Sequence, residues 1–220
     1  MLLSTAWFPP AAWFALVAGC PEVKLEACES YRKQTWRNRC RILSANGPLD
    51  LRMPVKHGGS RLITEIEIDY STPWLRQACY AIDSAYYNSP FFEFYRDPLF
   101  ALLERRPPLL WDMNLEIIRF FALKLGLRVN FEPTESFVAA ASVSEAEASV
   151  NAKAAENAAV FGENSAPADD WRESFSPKRP CTPLVRPYYQ VFREKFGFVP
   201  GLSVMDLLFN EGPESAGYFL

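Results

Sequence analysis

The residues best equipped for chemistry lie in one run, Tyr31-Arg-Lys-Gln-Thr-Trp-Arg-Asn-Arg-Cys-Arg-Ile42, preceded by Glu29 and Ser30. Five cations, Arg32, Lys33, Arg37, Arg39 and Arg41, fall within ten residues of a chain whose net charge is −3. Tyr31, Gln34, Thr35, Trp36 and Asn38 are interleaved with them. A pocket for an anion with a polar body needs this mixture: guanidinium forks for phosphate or carboxylate, amides for hydroxyls, and rings to stack on a sugar or base. A basic edge strand with its side chains in water has the same composition. Residue types alone leave both readings open.

The C-terminal run Asp206 to Glu214 is the acidic counterpart, with Asp206, Asn210, Glu211 and Glu214 at and just past the end of a short apolar segment. Asp206 and Glu211 are the candidate catalytic carboxylates, able to act as a general base or to hold Mg²⁺. The alternative is that they pair with the arginines of the basic run and hold the termini together. Other chemistry has little support. There is no G-x-S-x-G, no P-loop and no G-x-G-x-x-G, and Gly58-Gly59 alone does not make a phosphate loop. The single histidine, His57, sits in a glycine-rich loop that suits a mobile exposed side chain better than a base. Five cysteines without C-x-x-C spacing argue against a zinc site and fit a reducing compartment. No cofactor is assigned.

These residues need a scaffold. At 220 residues the chain can bury one substantial core, and 49% hydrophobic with 15% aromatic content is compact globular composition. The acidic balance gives no reason to expect nucleic acid as a partner. Leu16-Val-Ala-Gly-Cys20 has the form of a lipoprotein cleavage site, but no Lys or Arg precedes Lys24 and Pro9-Pro10 interrupts the apolar stretch. Residues 2–6 therefore read as a strand and 11–19 as a buried helix entered after the two prolines. No segment has the ~20 apolar residues of a membrane span.

Further along, the alternation at 23–28 predicts a strand. Strands at 40–43 and 49–55 around Ala45-Asn-Gly-Pro48 predict a hairpin. Residues 61–70 alternate apolar and charged side chains and predict a strand with one wet face. Helices are expected over 74–87 (Thr72 as N-cap, Pro73 at the first position), 91–106, 109–125 (stopped by Gly126) and 204–209, with a short strand at 128–131. From 138 to 168 the chain is mostly Ala, Ser, Glu and Asn, a composition that anchors poorly on a core, with at most a loose surface helix at 144–160. The expectation is one α/β (or α+β) domain with a mixed sheet: a body at 1–137, an insertion or linker at 138–168, and a segment at 169–220 packing back on the body.

Three blocks, Trp7-Phe-Pro-Pro-Ala-Ala-Trp-Phe14, Tyr31 to Ile42 with Ala45-Asn-Gly47 and Leu51-Arg-Met-Pro-Val55, and Pro200 to Glu214, make the chain resemble the WbqC-like protein family. Trp74, Ser84-Ala-Tyr-Tyr-Asn88 and Pro90-Phe-Phe-Glu-Phe-Tyr95 also look like its pattern. The resemblance implies a cytoplasmic bacterial α/β protein of one domain, associated with surface-polysaccharide (O-antigen) biosynthesis and an activated sugar. It also exposes a departure. Where many members carry His-Gln before the aromatic–Pro segment, this chain has Ser4 and Thr5.

Two function classes follow. In the first, a transferase-like enzyme takes a nucleotide-linked or phosphorylated sugar. Lys33, Arg37 and Arg39 would bind its anionic part, and Gln34, Thr35, Asn38, Tyr31 and Asn210 its polar groups. Trp7, Trp13 or Trp36 would stack on a ring, and Asp206 or Glu211 would serve as base. In the second, a non-catalytic binding or assembly protein of the same pathway uses the aromatic helix Phe91–Phe100 and the tail as a homo-oligomer or partner surface.

Overall fold

The structure, a computed structural model, describes residues 1–138, 170–178 and 184–220. The expected insertion at 138–168, beyond Val138 itself, and the helix at 144–160 lie outside the described residues, as does Cys181.

Pro9-Pro10 cannot continue a strand, and their fixed φ suits a helix start. The chain thus runs β1 (Leu2–Leu3), α1 (Ala11–Val17), β2 (Glu22–Leu25), with every residue of α1 buried. β2 lies between β1 and β5 (Asn130–Pro133), parallel to both, in register Leu3↔Leu25 and Val23↔Phe131. A bridge between Leu2 and Asp170 adds the 170–178 segment beside β1, also in parallel. The hairpin β3 (Arg39–Ser44) and β4 (Gly47–Arg52) forms a separate antiparallel pair. The architecture is α/β, with a small parallel sheet and a distinct antiparallel pair in place of one mixed sheet.

Three helices follow: α2 (Trp74–Tyr86), α3 (Phe92–Glu104) and α4 (Leu110–Lys124). α4 buries Met113, Ile117 and Phe121, and Gly126, at φ +70°, ends it. There Leu127 N–H donates to Ala122 O and Gly126 N–H to Leu123 O, the paired bonds of a Schellman stop. Short α5 (Arg193–Phe196) precedes α6 (Val204–Glu211), whose N-cap Ser203 accepts from Met205 N–H. No described helix is long and apolar enough to cross a membrane.

Two local expectations need correction. Residues 61–70 form no strand but a 3-10 turn (Ile63–Glu65) and single bridges, Ser30↔Leu62, Val55↔Ile68 and Glu67↔Leu109. The alternation there arises because the segment buries Ile63, Ile66 and Ile68 while the rest of it meets solvent. At α2 the N-cap is Pro73, not Thr72, with no side-chain capping bond.

The lipoprotein-like stretch is interior: Leu16 and Cys20 are buried, and α1 packs against α6. Ala11 N–H donates to Leu202 O, Val204 N–H to Pro9 O, Ser203 N–H to Arg41 O and Trp7 N–H to Trp36 O. The aromatic–Pro, basic and C-terminal blocks are thus joined directly by backbone hydrogen bonds.

Gly212, at φ +56°, ends α6 against Phe91, and a Cβ there would lie 2.5–2.7 Å from that ring. Gly212→Ala should therefore destabilise the fold by about 1–3 kcal/mol, read as a lowered urea midpoint at unchanged slope.

Candidate functional site

In an open parallel sheet the strands' carboxyl ends are where ligands are held. Here those ends deliver Ser4 and Thr5 after β1, Glu26 after β2 and Thr134 after β5. Glu26 is 0% exposed. It accepts from Thr134 Oγ1 (2.7 Å), Cys28 N–H (3.0 Å), Val138 N–H (3.1 Å) and Arg172 Nη1 (2.9 Å). Arg172 also grips Asp170 through Nε (2.9 Å) and Nη2 (2.5 Å). Alongside, Arg37 forks onto the Glu29 carboxylate, Nε at 2.8 Å from Oε1 and Nη2 against Oε2. Ser4 Oγ accepts from Arg37 Nη2 (2.8 Å) and donates to Glu29 (3.1 Å).

Beside this network lies a cavity of about 270 Å³, counting its open mouth. Its base is Leu3 to Ala6, Trp13, Trp36, Trp171 and Phe175 supply aromatic walls, and Arg37 and Arg172 supply the charged side. Trp13 is braced by stacking on Phe131. Asn114, wholly buried in α4, donates to Arg37 O (2.8 Å) and weakly to Thr5 Oγ1 (3.4 Å), tying the basic run to the end of β1. Phe8, just beyond, holds φ +50° although it precedes Pro9 and is bulky. Such strain persists only where surrounding packing enforces it, and it concentrates at functional sites.

The WbqC-like protein family matches residues 5–218. The chain belongs to that family. It is also similar to an uncharacterized protein, Rv1507c, of Mycobacterium tuberculosis, at 26% identity over 221 residues, 99% of this chain and 95% of the relative. No solved structure matches it. Of the three blocks that carry the resemblance, the first two supply Trp13, Trp36 and Arg37 to the cavity lining, and the third is joined to them by backbone hydrogen bonds.

The basic run itself divides. Arg37 and Trp36 turn inward, whereas Arg32, Lys33 and Gln34 face solvent, with Gln34 at φ +61° and Arg32 paired to Glu173. Thr35 Oγ1 donates to Arg32 O, and Asn38 Nδ2 donates to Met53 O. Arg39 and Arg41 extend along β3, Arg41 pairing with Asp50. Tyr31 is half-buried, and burial pushes its phenol up. Trp7 is a core residue, 0% exposed, with its ring edge-on to Trp74.

The acidic block sits elsewhere, and none of Asp206, Asn210 and Glu211 lines the cavity. Nor do these carboxylates meet the arginines of the basic run. Asp206, 1% exposed, accepts from Tyr188 Oη (2.7 Å) and Gln190 Nε2 (2.9 Å). Burial raises its carboxyl to about 6, against the lowering effect of those donors. Glu211 accepts from Tyr189 N–H and Tyr218 Oη, both at 2.8 Å. Asn210 donates back to Asp206 O. This block fastens the tail. Among the described residues no group of three potential ligands is placed to hold a metal ion.

The carboxylates that do serve the cavity were not legible. By strand alternation Glu26 belongs with exposed Glu22 and Lys24, but β2 ends at Leu25 and the chain turns Glu26 inward. Its guanidinium partner lies 146 residues away. The available signals were weaker: Glu29 heading the basic run, and Asp170-Trp-Arg-Glu appearing where sequence complexity returns.

Breaking a buried pair leaves an unpaired charge and typically costs ~3–5 kcal/mol. Arg37→Ala should therefore lower unfolding free energy by about that amount. Arg37→Met with Glu29→Leu should recover much of it, both measured by urea denaturation. For Asp206 the folded value of about 6 exceeds the ordinary 3.8. Folded protein then binds the extra proton, so this contribution is full below pH ~4 and is lost as pH rises through ~6, about 3 kcal/mol in all. Asp206→Asn should flatten stability against pH between 4 and 6.5.

Proposed function

We propose that the protein is a transferase-like enzyme of bacterial surface-polysaccharide biosynthesis, working in the cytoplasm, whose cavity holds one sugar ring of an activated sugar. The observation that carries this is the cavity at the carboxyl ends of the parallel strands, walled by Trp13, Trp36, Trp171 and Phe175 and floored by the Ser4–Thr5 backbone and hydroxyls. Aromatic faces stack on the C–H face of a sugar, while hydroxyls and a guanidinium meet its rim.

Charge supports an uncharged occupant. Glu26, Glu29 and Asp170 carry −3 against +2 on Arg37 and Arg172, a formal −1, and these guanidiniums are already engaged by carboxylates. Arg37 Nη1 is the one nitrogen of its guanidinium that bonds to no described residue, leaving it for a ligand hydroxyl. Ser4 and Thr5 extend the set of hydroxyl partners. Asp206 and Glu211, set apart from the cavity, fit tail-fastening roles better than that of a base.

The assembly-protein reading rests on a different observation: Tyr80, Tyr87 and Phe94, on and beside α2 and α3, are 75%, 75% and 73% exposed. One experiment separates the two. A nucleotide sugar should raise the melting temperature of the wild-type chain, as any ligand of the folded state does, and Thr5→Val and Phe175→Ala should each weaken that ligand at least tenfold. If no nucleotide sugar shifts the transition, and sedimentation shows concentration-dependent association instead, the assembly reading replaces the enzyme one.

A further inference from the structure

The cavity's arginines already have their charge matched by carboxylates, so an activated sugar placed there needs its phosphate elsewhere. β3 and β4 bring Arg39 and Arg52 directly opposite each other. Like charges at such a cross-strand position destabilise the pair. At the next pair on the same face, two rungs along, the register sets Arg41 against Asp50, and a two-point ion pair at 2.6 and 3.0 Å resolves the charge. Nothing comparable resolves the Arg39–Arg52 rung: neither side chain forms an ion pair among the described residues. Arg39 Nε is shut off from solvent and has no hydrogen-bond partner among the described residues, and the same holds for the neighbouring Asn38 Oδ1. A buried donor left this way costs ~1–3 kcal/mol, more when charged, unless something accepts from it. Tyr31 lies close enough for its phenol to feel the charges of Arg39 and Arg37.

We infer that Arg39 and Arg52 form an anion site on the hairpin face, built for a phosphate group. Two guanidinium forks match phosphate oxygens. The inference rests on the sugar reading of the cavity for the identity of the whole ligand. Trp36 lines the cavity, and Arg39 is three residues further on, so their Cα atoms are at most about 11 Å apart. One ligand can place its ring against Trp36 and its phosphate against Arg39 and Arg52. The anionic and neutral parts of an activated sugar thereby divide between two adjacent sites, one with uncompensated positive charge and one with a slight negative excess.

The test is calorimetric titration of the full chain with inorganic pyrophosphate at low ionic strength, where charge contacts are least screened. Wild type should bind, and Arg39→Gln and Arg52→Gln should each bind at least tenfold more weakly. Arg128→Gln, an exposed arginine before β5, should bind like wild type. Without anion, Arg52→Gln should melt no lower than wild type, because the substitution relieves a repulsion. That variant is exposed, so it carries the test even if Arg39→Gln fails to fold. Pyrophosphate bound equally well by Arg52→Gln, or not bound by wild type, overturns the site. Pyrophosphate binding lost in the arginine variants, with no sugar or nucleotide sugar binding the cavity, upholds the anion site and sinks the cavity reading instead.

Discussion

Glu26 and Glu29 are carboxylates almost without access to water, and the arrangement around the sheet's carboxyl end depends on their being matched. Each is met by a guanidinium from a distant part of the chain, Arg172 and Arg37. A buried charge is tolerated only with a partner and with its remaining lone pairs bonded, and both conditions hold. Thr134 from the end of β5 and Ser4 from the end of β1 complete the two shells. Three strand ends, the basic run and the 170–178 segment are thus fixed relative to one another by one polar cluster. A purely apolar junction would hold these parts less specifically, since apolar contacts are not directional. The cavity is the space left beside that cluster.

The same cluster explains why aromatic residues are so abundant. Trp13 and Phe14 of α1 pack with Phe8, Phe121 and Phe131 in edge-to-face, tilted and stacked ring contacts. Their ring contacts back the end of β1, from which Ser4 and Thr5 emerge. The backbone bonds from Trp7 to Trp36 and from Ser203 to Arg41 then lock the basic run and the C-terminal helix onto this base. Asp206 stabilises the far side of that helix rather than the cavity, and Glu211 ties it to the final turn.

The helical part of this architecture was readable from spacing alone. The apolar periodicity of α2 to α4, the Gly126 stop and the Ala45-Asn-Gly hairpin are local signals; the three helices lie within a residue or two of the expected bounds, whereas β4 runs over 47–52 against the expected 49–55. The prolines before α1 likewise marked the start of a helix. Residues 61–70 misled because alternation records which side chains are buried, not whether a neighbouring strand exists to pair with. The basic run was visible, but its division into an inward Arg37, solvated Arg32 and Lys33, and strand-borne Arg39 and Arg41 was not. That division depends on where Glu29, Asp50 and the β4 register fall in space. Opposite charge also suggested that the acidic tail would answer the basic run, whereas tyrosines and a glutamine of the tail itself take that role.

The central claim is that ligand binds where the parallel strands end, beside Glu29 and Arg37, and not at the acidic tail. Hydrogen exchange of the full chain, with and without a saturating nucleotide sugar, addresses this most directly. The account predicts added protection at residues 4–6, 26–29, 36–39 and 171–175, and none at 204–211. Protection confined to 188–211 with the strand ends unchanged would contradict it.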